Sequence, residues 1–212
     1  MTALFQEVEQ LGRERFPEGT RIEIVGEIPL MMKMVNMLSR GQVYSVLAAF
    51  GVITLLMMLV LGSVPVGLLS MIPNVFPVLV IGGIMGMAGI PLDMVTVMVM
   101  PMIIGIAVDD TVHYIVHFRQ EFRACGRYRE ANRRTFGKVG PAILFTSLIL
   151  SLGFSIFGFS DMRSLVSMGM LSSAGIVAAL AADLLITPAL FVFLKPFGRE
   201  IRERPGRSSP QT

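Results

Sequence analysis

The segment GIAVDDTVHYIVHF carries two carboxyls and two imidazoles in an otherwise apolar run. On a helix, residues at i, i+4 and i+8 align. Asp109, His113 and His117 therefore form one row. Asp110 and Tyr114 form the neighbouring row. A charged side chain at the centre of a bilayer costs at least about 2.5–3.5 kcal/mol, so we expect this polar stripe to face a bundle interior or a water-filled path.

The stripe admits three interpretations. The carboxyls could bind and release protons, because burial disfavours the charged form of a carboxyl and two adjacent carboxyls hinder each other's ionisation. Alternatively, Asp109, His113 and His117 could ligate a metal, although no cysteine supports such a site. In the third interpretation the polar groups only join helices by hydrogen bonds. The pattern favours proton binding by Asp109 and Asp110, and we expect no metal and no other cofactor.

Other polar residues occur in the apolar segments. Thr146 could hydrogen-bond an aspartate across the bundle, or its hydroxyl could bond the carbonyl four residues earlier in its own helix. Asp183, in the last apolar segment, is a secondary candidate for the site, as are His113 and Tyr114. Asp93 begins the third apolar segment and is interpreted as a helix N-cap.

Composition indicates that these residues lie in a membrane protein. Of 212 residues, 53% are hydrophobic and 16% are charged, whereas soluble domains average about 25% charged. Crossing a bilayer takes about 20 apolar residues. Five segments meet this length, at 42–62, 66–89, 94–117, 139–160 and 165–194. The sequence therefore predicts an all-α membrane protein whose five transmembrane helices pack as a bundle.

The two ends of the chain differ from this apolar centre. Residues 1–40 combine helical spacing with a short alternating stretch around Ile22 and Ile24, which predicts a small α/β remnant at the end of an extramembrane domain. Residues 41–197 form the transmembrane domain. Residues 198–212 are polar and proline-containing, which predicts a disordered cytoplasmic tail.

Basic residues predict the orientation. The segment 119–138 holds seven Lys and Arg residues and the tail holds five, against six on the opposite side of a five-helix topology. Positive residues favour the inner side, so we expect a cytoplasmic C-terminus, a periplasmic N-terminus and a location in the inner (plasma) membrane. The segment 119–138 is amphipathic, which predicts a cytoplasmic helix lying on anionic lipid headgroups rather than a nucleic-acid site.

Four segments, taken in order, resemble one transporter superfamily. GIAVDDTVHYIVHFRQEF resembles the fourth helix of each half of the resistance-nodulation-division (RND) transporters, and most of all the lipid exporters of the mycobacterial-membrane-protein-large (MMPL) type. MIPNVFPVLVIGGIMGMAGIPLDMVT resembles the third helix and the start of the fourth. VGPAILFTSLILSLGFSIFGFSD is similar to the fifth helix, and MGMLSSAGIVAALAADLLITPALFVFLKP to the sixth. The resemblance covers about residues 25–197 with matching loop lengths.

The resemblance implies the C-terminal transmembrane half of a proton-motive-force-driven exporter of lipids or other hydrophobic compounds. In the family, acidic residues of the fourth helix carry the proton relay, which implies that role for Asp109 and Asp110. Thr146 matches a hydroxyl position near that relay, whereas the relay lysine of the multidrug branch has no counterpart here. The implied partners are membrane lipid, a hydrophobic substrate, and either an N-terminal half or further copies of this chain.

Three alternatives stay open. The same fold serves protein-export accessory subunits, and the five-helix block is similar to sterol-sensing domains that bind lipid without pumping. An intramembrane aspartyl protease would need carboxyls on two helices, such as Asp110 and Asp183, but the Gly-x-Gly-Asp context is missing before Asp109. The segments HYIVHFRQEF and GIPLD favour the lipid-exporter branch, and we expect a transporter rather than an enzyme.

Overall fold

The computed structural model describes residues 27–198 and residue 200, and no strand occurs among them. The helices are α1 Glu27–Leu61, α2 Val64–Ala88, α3 Val99–Cys125, α4 Tyr128–Ser155, α5 Arg163–Ala181 and α6 Thr187–Leu194. The 3₁₀ segments Thr96–Met98 and Ile156–Phe159 extend α3 and α4, and a π segment, Ala182–Ile186, joins α5 to α6.

Among the described residues, five helical units are long and apolar enough to cross a membrane. They are Arg40–Leu61, Val64–Ala88, Thr96–Cys125, Tyr128–Phe159 and Arg163–Leu194. Each of the five predicted apolar segments falls on one of these units. The chain is a multi-pass membrane protein, and the all-α, five-helix fold predicted from the sequence is confirmed.

The N-terminal prediction lies mostly outside the described residues. Residues 1–26, with the predicted strand, and residues 201–212, with the predicted tail, are not described. From Glu27 the chain is helical, and α1 runs without a break into the first span. At about 1.5 Å per residue, the 35 residues of α1 extend about 52 Å, against about 30 Å for the hydrocarbon core. Part of α1 therefore projects beyond the membrane.

The single amphipathic helix predicted for 119–138 is not formed. Instead α3 ends at Cys125, α4 begins at Tyr128, and the two helices run back antiparallel. Gly126 ends α3 with a φ of 67°, a left-handed conformation that favours glycine, and its N–H donates to the Phe122 carbonyl at 2.8 Å. Lys138 bridges the two helices through an ion pair with Glu121 at 2.5 Å.

The bundle has a tightly packed centre made of α2, α3 and α5, which bury far more of their length than α1 and α4. Glycine permits the close approach of these helices. A Cβ added at Gly175 in α5 would lie 2.7 Å from Ile81 of α2 and 3.1 Å from Ile103 of α3. The packing leaves α1 and α4 with extensive faces for lipid or for a partner.

Each end of the bundle is fixed by its own contacts. At the end that carries the turn between α3 and α4, the centre of the Tyr128 ring lies 4.2 Å from that of Phe122, and the Tyr128 hydroxyl accepts the Phe197 N–H at 2.8 Å. At the other end, Asp93 accepts the N–H groups of Val95 and Thr96 at 3.0 and 2.7 Å, as an N-cap does, together with the Ser164 hydroxyl. Burial opposes the change, but these hydrogen bonds outweigh it and hold the pKa of Asp93 below its usual value.

Candidate functional site

A cleft of about 500 Å³ lies between α3 and α4, within the membrane-spanning units. We call it the α3–α4 cleft. Its polar lining consists of Asp109, Asp110, His113, His117, Lys138 and Thr146. The helical row predicted on α3 thus faces one space, and Thr146 of α4 borders the same space. All of the residues that line the cleft belong to α3 and α4.

Asp109 and His113 form the open part of this cleft. Their side chains are 76% and 64% exposed, and Oδ1 of Asp109 lies 3.8 Å from Nε2 of His113. This distance is too long for a hydrogen bond. The contact becomes an ion pair only when the imidazole is protonated, and exposed pairs of this kind contribute about 0–1 kcal/mol. Asp109 is therefore held loosely by the residues that the structure describes.

Asp110 is half-buried and is held across the helix interface. Its Oδ2 accepts the hydroxyl of Ser147 in α4 at 3.3 Å, and Ser147 is buried. Thr146 makes no such contact, because its hydroxyl lies 3.1 and 3.0 Å from the carbonyls of Ala142 and Ile143 in its own helix. The local alternative foreseen for Thr146 is the one the structure adopts, and the aspartate contact falls to the next residue along the chain.

Tyr114 lies away from the cleft. Its side chain is fully buried, its hydroxyl donates to Oδ1 of Asn132, and its ring lies beside Phe118. Although Tyr114 follows Asp110 by one helical turn, the two side chains reach different surroundings. Tyr114 stabilises the contact between α3 and the start of α4 and does not border the carboxyls.

Behind the cleft lies a second polar group, which we call the buried polar layer: Asn74, Thr111, Asp183 and Thr187. Asp183 is 1% exposed. Its Oδ1 lies 2.5 Å from the Thr111 hydroxyl and 3.3 Å from the Thr187 hydroxyl. The Thr111 hydroxyl is also 3.4 Å from Oδ1 of Asn74. The layer joins α2, α3 and the π segment, and it places Asp183 next to the helix that carries Asp110.

The local sequence accounts for the π segment that carries Asp183. Pro188 follows it and has no N–H to donate to the carbonyl of residue 184, while its ring crowds that carbonyl. The helix widens just before it, and the Thr187 N–H donates to the carbonyl of Ala182, five residues back. Such π segments are frequent at functional sites.

Two members of the buried polar layer were not among the predicted site residues. Thr111 directly follows Asp110, and Asn74 lies between Pro73 and Pro77 in an otherwise apolar helix. An amide at membrane depth is a recognisable signal, since polar groups there are expected to pair. Its partner could not be read from α2 alone.

The half-buried Asp110 and the buried Asp183 are held without a cation partner among the described residues. No salt bridge joins Asp110 or Asp183 to a basic residue in the part of the chain that the structure describes. Over the same residues, no group of three His, Cys, Asp or Glu side chains could hold a metal ion. Among the described residues, Asp110 and Asp183 are hydrogen-bonded only to hydroxyl groups.

One family and two curated proteins are similar to this chain. The MMPL family matches residues 2–210. MJ1562 of Methanocaldococcus jannaschii, whose name describes it only as a membrane protein, is 22% identical over 184 residues, covering 87% of this chain and 47% of that protein. The hopanoid transporter HpnN of Burkholderia multivorans is 25% identical over 185 residues, covering 85% of this chain and 20% of HpnN. The chain thus spans less than half the length of these relatives.

Proposed function

Since this chain belongs to the MMPL family, we propose that it is the transmembrane half of a proton-motive-force-driven exporter of lipids or other hydrophobic compounds. The observation that carries the proposal is the α3–α4 cleft, in which Asp109 and Asp110 face one space inside the spans. Protons entering the cleft would neutralise these carboxyls, and the change in charge would alter how α3 packs against its neighbours.

The contacts of Asp110 support its role as the main proton-binding group. It is half-buried and shares its hydrogen bond with Ser147 on another helix, so its protonation changes a contact between α3 and α4. Asp109 is more open and would exchange protons with the outside of the cleft. His113, which faces Asp109, would influence the pair when protonated, whereas Thr146 would only line the path.

A hydrophobic substrate is supported by a second, apolar groove of about 510 Å³. It lies between α1 and the start of α3 and includes Met34, Met37, Met94 and Met98. Methionine side chains are flexible and adapt to irregular apolar ligands. The similarity to HpnN, named a hopanoid transporter, agrees with a lipid substrate.

We propose the same orientation that the basic residues predicted. The turn between α3 and α4 would lie in the cytoplasm, where exposed residues such as Arg123 and Arg129 meet anionic headgroups of the inner membrane. The N-terminal end of the bundle, with Asp93, would then lie on the periplasmic side.

A partner completes the proposed transporter. The chain matches 47% and 20% of the length of these two relatives, and the Asp109 side chain in the cleft is exposed. An N-terminal half or a second copy of this chain would cover the exposed faces of α1, α3 and α4. Membrane lipid would cover the remainder.

Export driven by an imposed proton gradient tests the proposal. The complete assembly in lipid vesicles would be compared with its Asp110→Asn variant, which keeps the side-chain size and removes the titratable group. Asp161→Asn is the matched control, because Asp161 lies in the exposed loop before α5. We expect export to fall in Asp110→Asn and to be unchanged in Asp161→Asn. Normal export by a correctly inserted Asp110→Asn protein would remove the proton-relay role.

The alternatives give different results in the same vesicles. A lipid-sensing module would bind a fluorescent lipid with no effect of the proton gradient and would not move it. A protein-export accessory subunit would leave lipid efflux unchanged, while its deletion from cells would reduce protein secretion.

A further inference from the structure

We propose that Asp183 rests as a neutral carboxylic acid and is a second proton-binding group of the bundle, and that its ionisation reassigns the hydroxyl of Thr111. While Asp183 is neutral, the Thr111 hydroxyl donates its proton to the backbone of α3 and to Asn74 of α2. When Asp183 is charged, the Thr111 hydroxyl donates to Asp183. The role of this switch in transport rests on the proposed function, whereas the protonation state of Asp183 does not.

The count of protons around Thr111 supports the neutral state. The Thr111 oxygen lies 3.0 Å from the Ala107 carbonyl, 3.4 Å from Oδ1 of Asn74 and 2.5 Å from Oδ1 of Asp183. All three are acceptors when Asp183 is charged, and a threonine hydroxyl has one proton to donate. A proton on Asp183 turns one of these acceptors into a donor, since the acid can then donate to the Thr111 oxygen, and the Thr111 proton is left to the Ala107 carbonyl and Oδ1 of Asn74.

The orientation of Asn74 removes the simplest other solution. Its Nδ2 donates to the Ser70 carbonyl at 2.9 Å, so its Oδ1 faces Thr111. Turning the amide round would give Thr111 a donor but would set two oxygens against each other at Ser70. The shortage of donors is therefore a property of the layer and not of one rotamer.

The second carboxyl oxygen points to the same state. Oδ2 of Asp183 is buried and has no hydrogen-bond partner among the described residues. A carboxylate shares its charge between both oxygens, and leaving one of them buried and unpaired is costly. A neutral acid in the same place has no charge to stabilise.

No cation faces Asp183 from the elements packed against it. α2 and α6 contain no charged residue, and α5 has only Arg163, at its first position. On α3 the acid that directly precedes Thr111 is Asp110. Ionisation of Asp183 breaks its O–H bond, and we assign the Asp110 carboxylate as the base that takes the proton. The two acids would then be neutral in turn.

The switch connects three helices. When Asp183 ionises, the hydroxyls of Thr111 and Thr187 both become donors to its Oδ1. Thr111 can then no longer donate to Asn74, so the polar contact between α3 and α2 is lost. Proton exchange with Asp110 would in this way alter the packing of the central helices.

Infrared spectroscopy of the full chain in lipid nanodiscs tests the protonation state directly. We expect a carbonyl band of a buried protonated carboxylic acid near neutral pH, absent in Asp183→Asn and retained in Asp110→Asn. A spectrum unchanged by Asp183→Asn would mean that Asp183 is ionised, and the proposal would fall. Both variants keep side-chain size, and elution as a single species checks their fold.

Thr111 variants test the switch. Thr111→Val removes a donor to the charged acid, so we expect the Asp183 band to persist to higher pH than in the wild type, while Thr111→Ser matches the wild type. If the Asp183 band showed the same pH dependence in Thr111→Val and Thr111→Ser, the proposed change of hydrogen-bond partner by the Thr111 hydroxyl would be wrong. If the band behaves as expected but Asp110→Asn exports normally, the proposed function fails and this inference stands. If export fails in Asp110→Asn and no Asp183 band exists, this inference alone fails.

Discussion

The two acidic regions of the bundle lie on neighbouring surfaces of α3 but differ in how they are held. In the α3–α4 cleft, Asp109 is exposed and Asp110 has one hydrogen bond, to Ser147. In the buried polar layer, Asp183 is sealed among hydroxyls from two elements. An open site can exchange protons with its surroundings and accept a partner, whereas a sealed site exchanges protons only with the groups that enclose it. The difference separates proton access from conformational response within a few residues of one helix.

Substitution of the aspartates in the α3–α4 cleft should have the largest effect on proton-driven export. Asp110→Asn should lower proton-driven export about 100-fold, the lower range for loss of a positioned proton-transfer group. Asp109→Asn should cost less, because Asp109 is exposed and only loosely held, 3.8 Å from His113. Initial export rates in vesicles with equal protein content measure both. A greater loss from Asp109→Asn would move the main site to the open end of the cleft.

In the buried polar layer, removal of the carboxyl should act on stability. Asp183→Ala leaves the hydroxyls of Thr111 and Thr187 without the carboxyl that both of them contact in a sealed site. We expect a loss of about 1–3 kcal/mol in the free energy of unfolding, the usual cost of orphaned buried polar groups. Asp183→Asn keeps an acceptor and should lose less. Unfolding by denaturant in mixed micelles compares them, and equal losses would mean that the acceptor retained by Asn does not stabilise the layer.

The same Gly→Ala substitution can be made at a tightly packed position and at an open position of the bundle. Gly175→Ala places a methyl group 2.7 Å from Ile81, whereas Gly105→Ala meets nothing within 4 Å. Overpacking typically costs about 1–3 kcal/mol, so the first variant should melt at a lower temperature. Gly105→Ala should match or slightly exceed the wild type. Two equal melting temperatures would mean that α5 can move away from α2 at little cost.

Substitutions of the adjacent residues Thr146 and Ser147 in α4 should have the smallest effect. They test which of the two hydroxyls contacts Asp110. Ser147→Ala removes the hydroxyl bonded to Asp110, worth about 0.5–1.5 kcal/mol for a typical hydrogen bond. Thr146→Val removes a hydroxyl bonded only to its own helix and should leave export unchanged. The pH dependence of export measures both variants. A shift in Thr146→Val without one in Ser147→Ala would reverse the assignment.

The sequence shows which residues share a face of one helix. It does not show how far each helix is turned about its axis, and therefore which face meets a neighbouring helix. The row of Asp109, His113 and His117 follows from 3.6 residues per turn, and all three line one cleft. Thr146 and Ser147 lie about 100° apart around α4. Which of them meets Asp110 depends on how α4 is turned, and that is set by the packing of all five spans.

The turn at Gly126 shows a second limit. Phe118, Phe122 and Cys125 continue an apolar face that looks like part of a longer amphipathic helix. A single left-handed glycine ends it, and the burial of Phe118 and Phe122 comes from α3 folding into the core. Asp183 was recognisable as an acid at membrane depth, but its partners Thr111 and Asn74 come from helices far away in sequence.

The central claim is that protons bound at Asp110 drive substrate movement. Simultaneous recording of proton uptake, by a pH indicator trapped in the vesicles, and of efflux of a fluorescent lipid tests it most directly. The account predicts that substrate stimulates proton uptake in the wild type and in Asp161→Asn, and that Asp110→Asn loses both signals together. Substrate-stimulated proton uptake that persists in Asp110→Asn would contradict it.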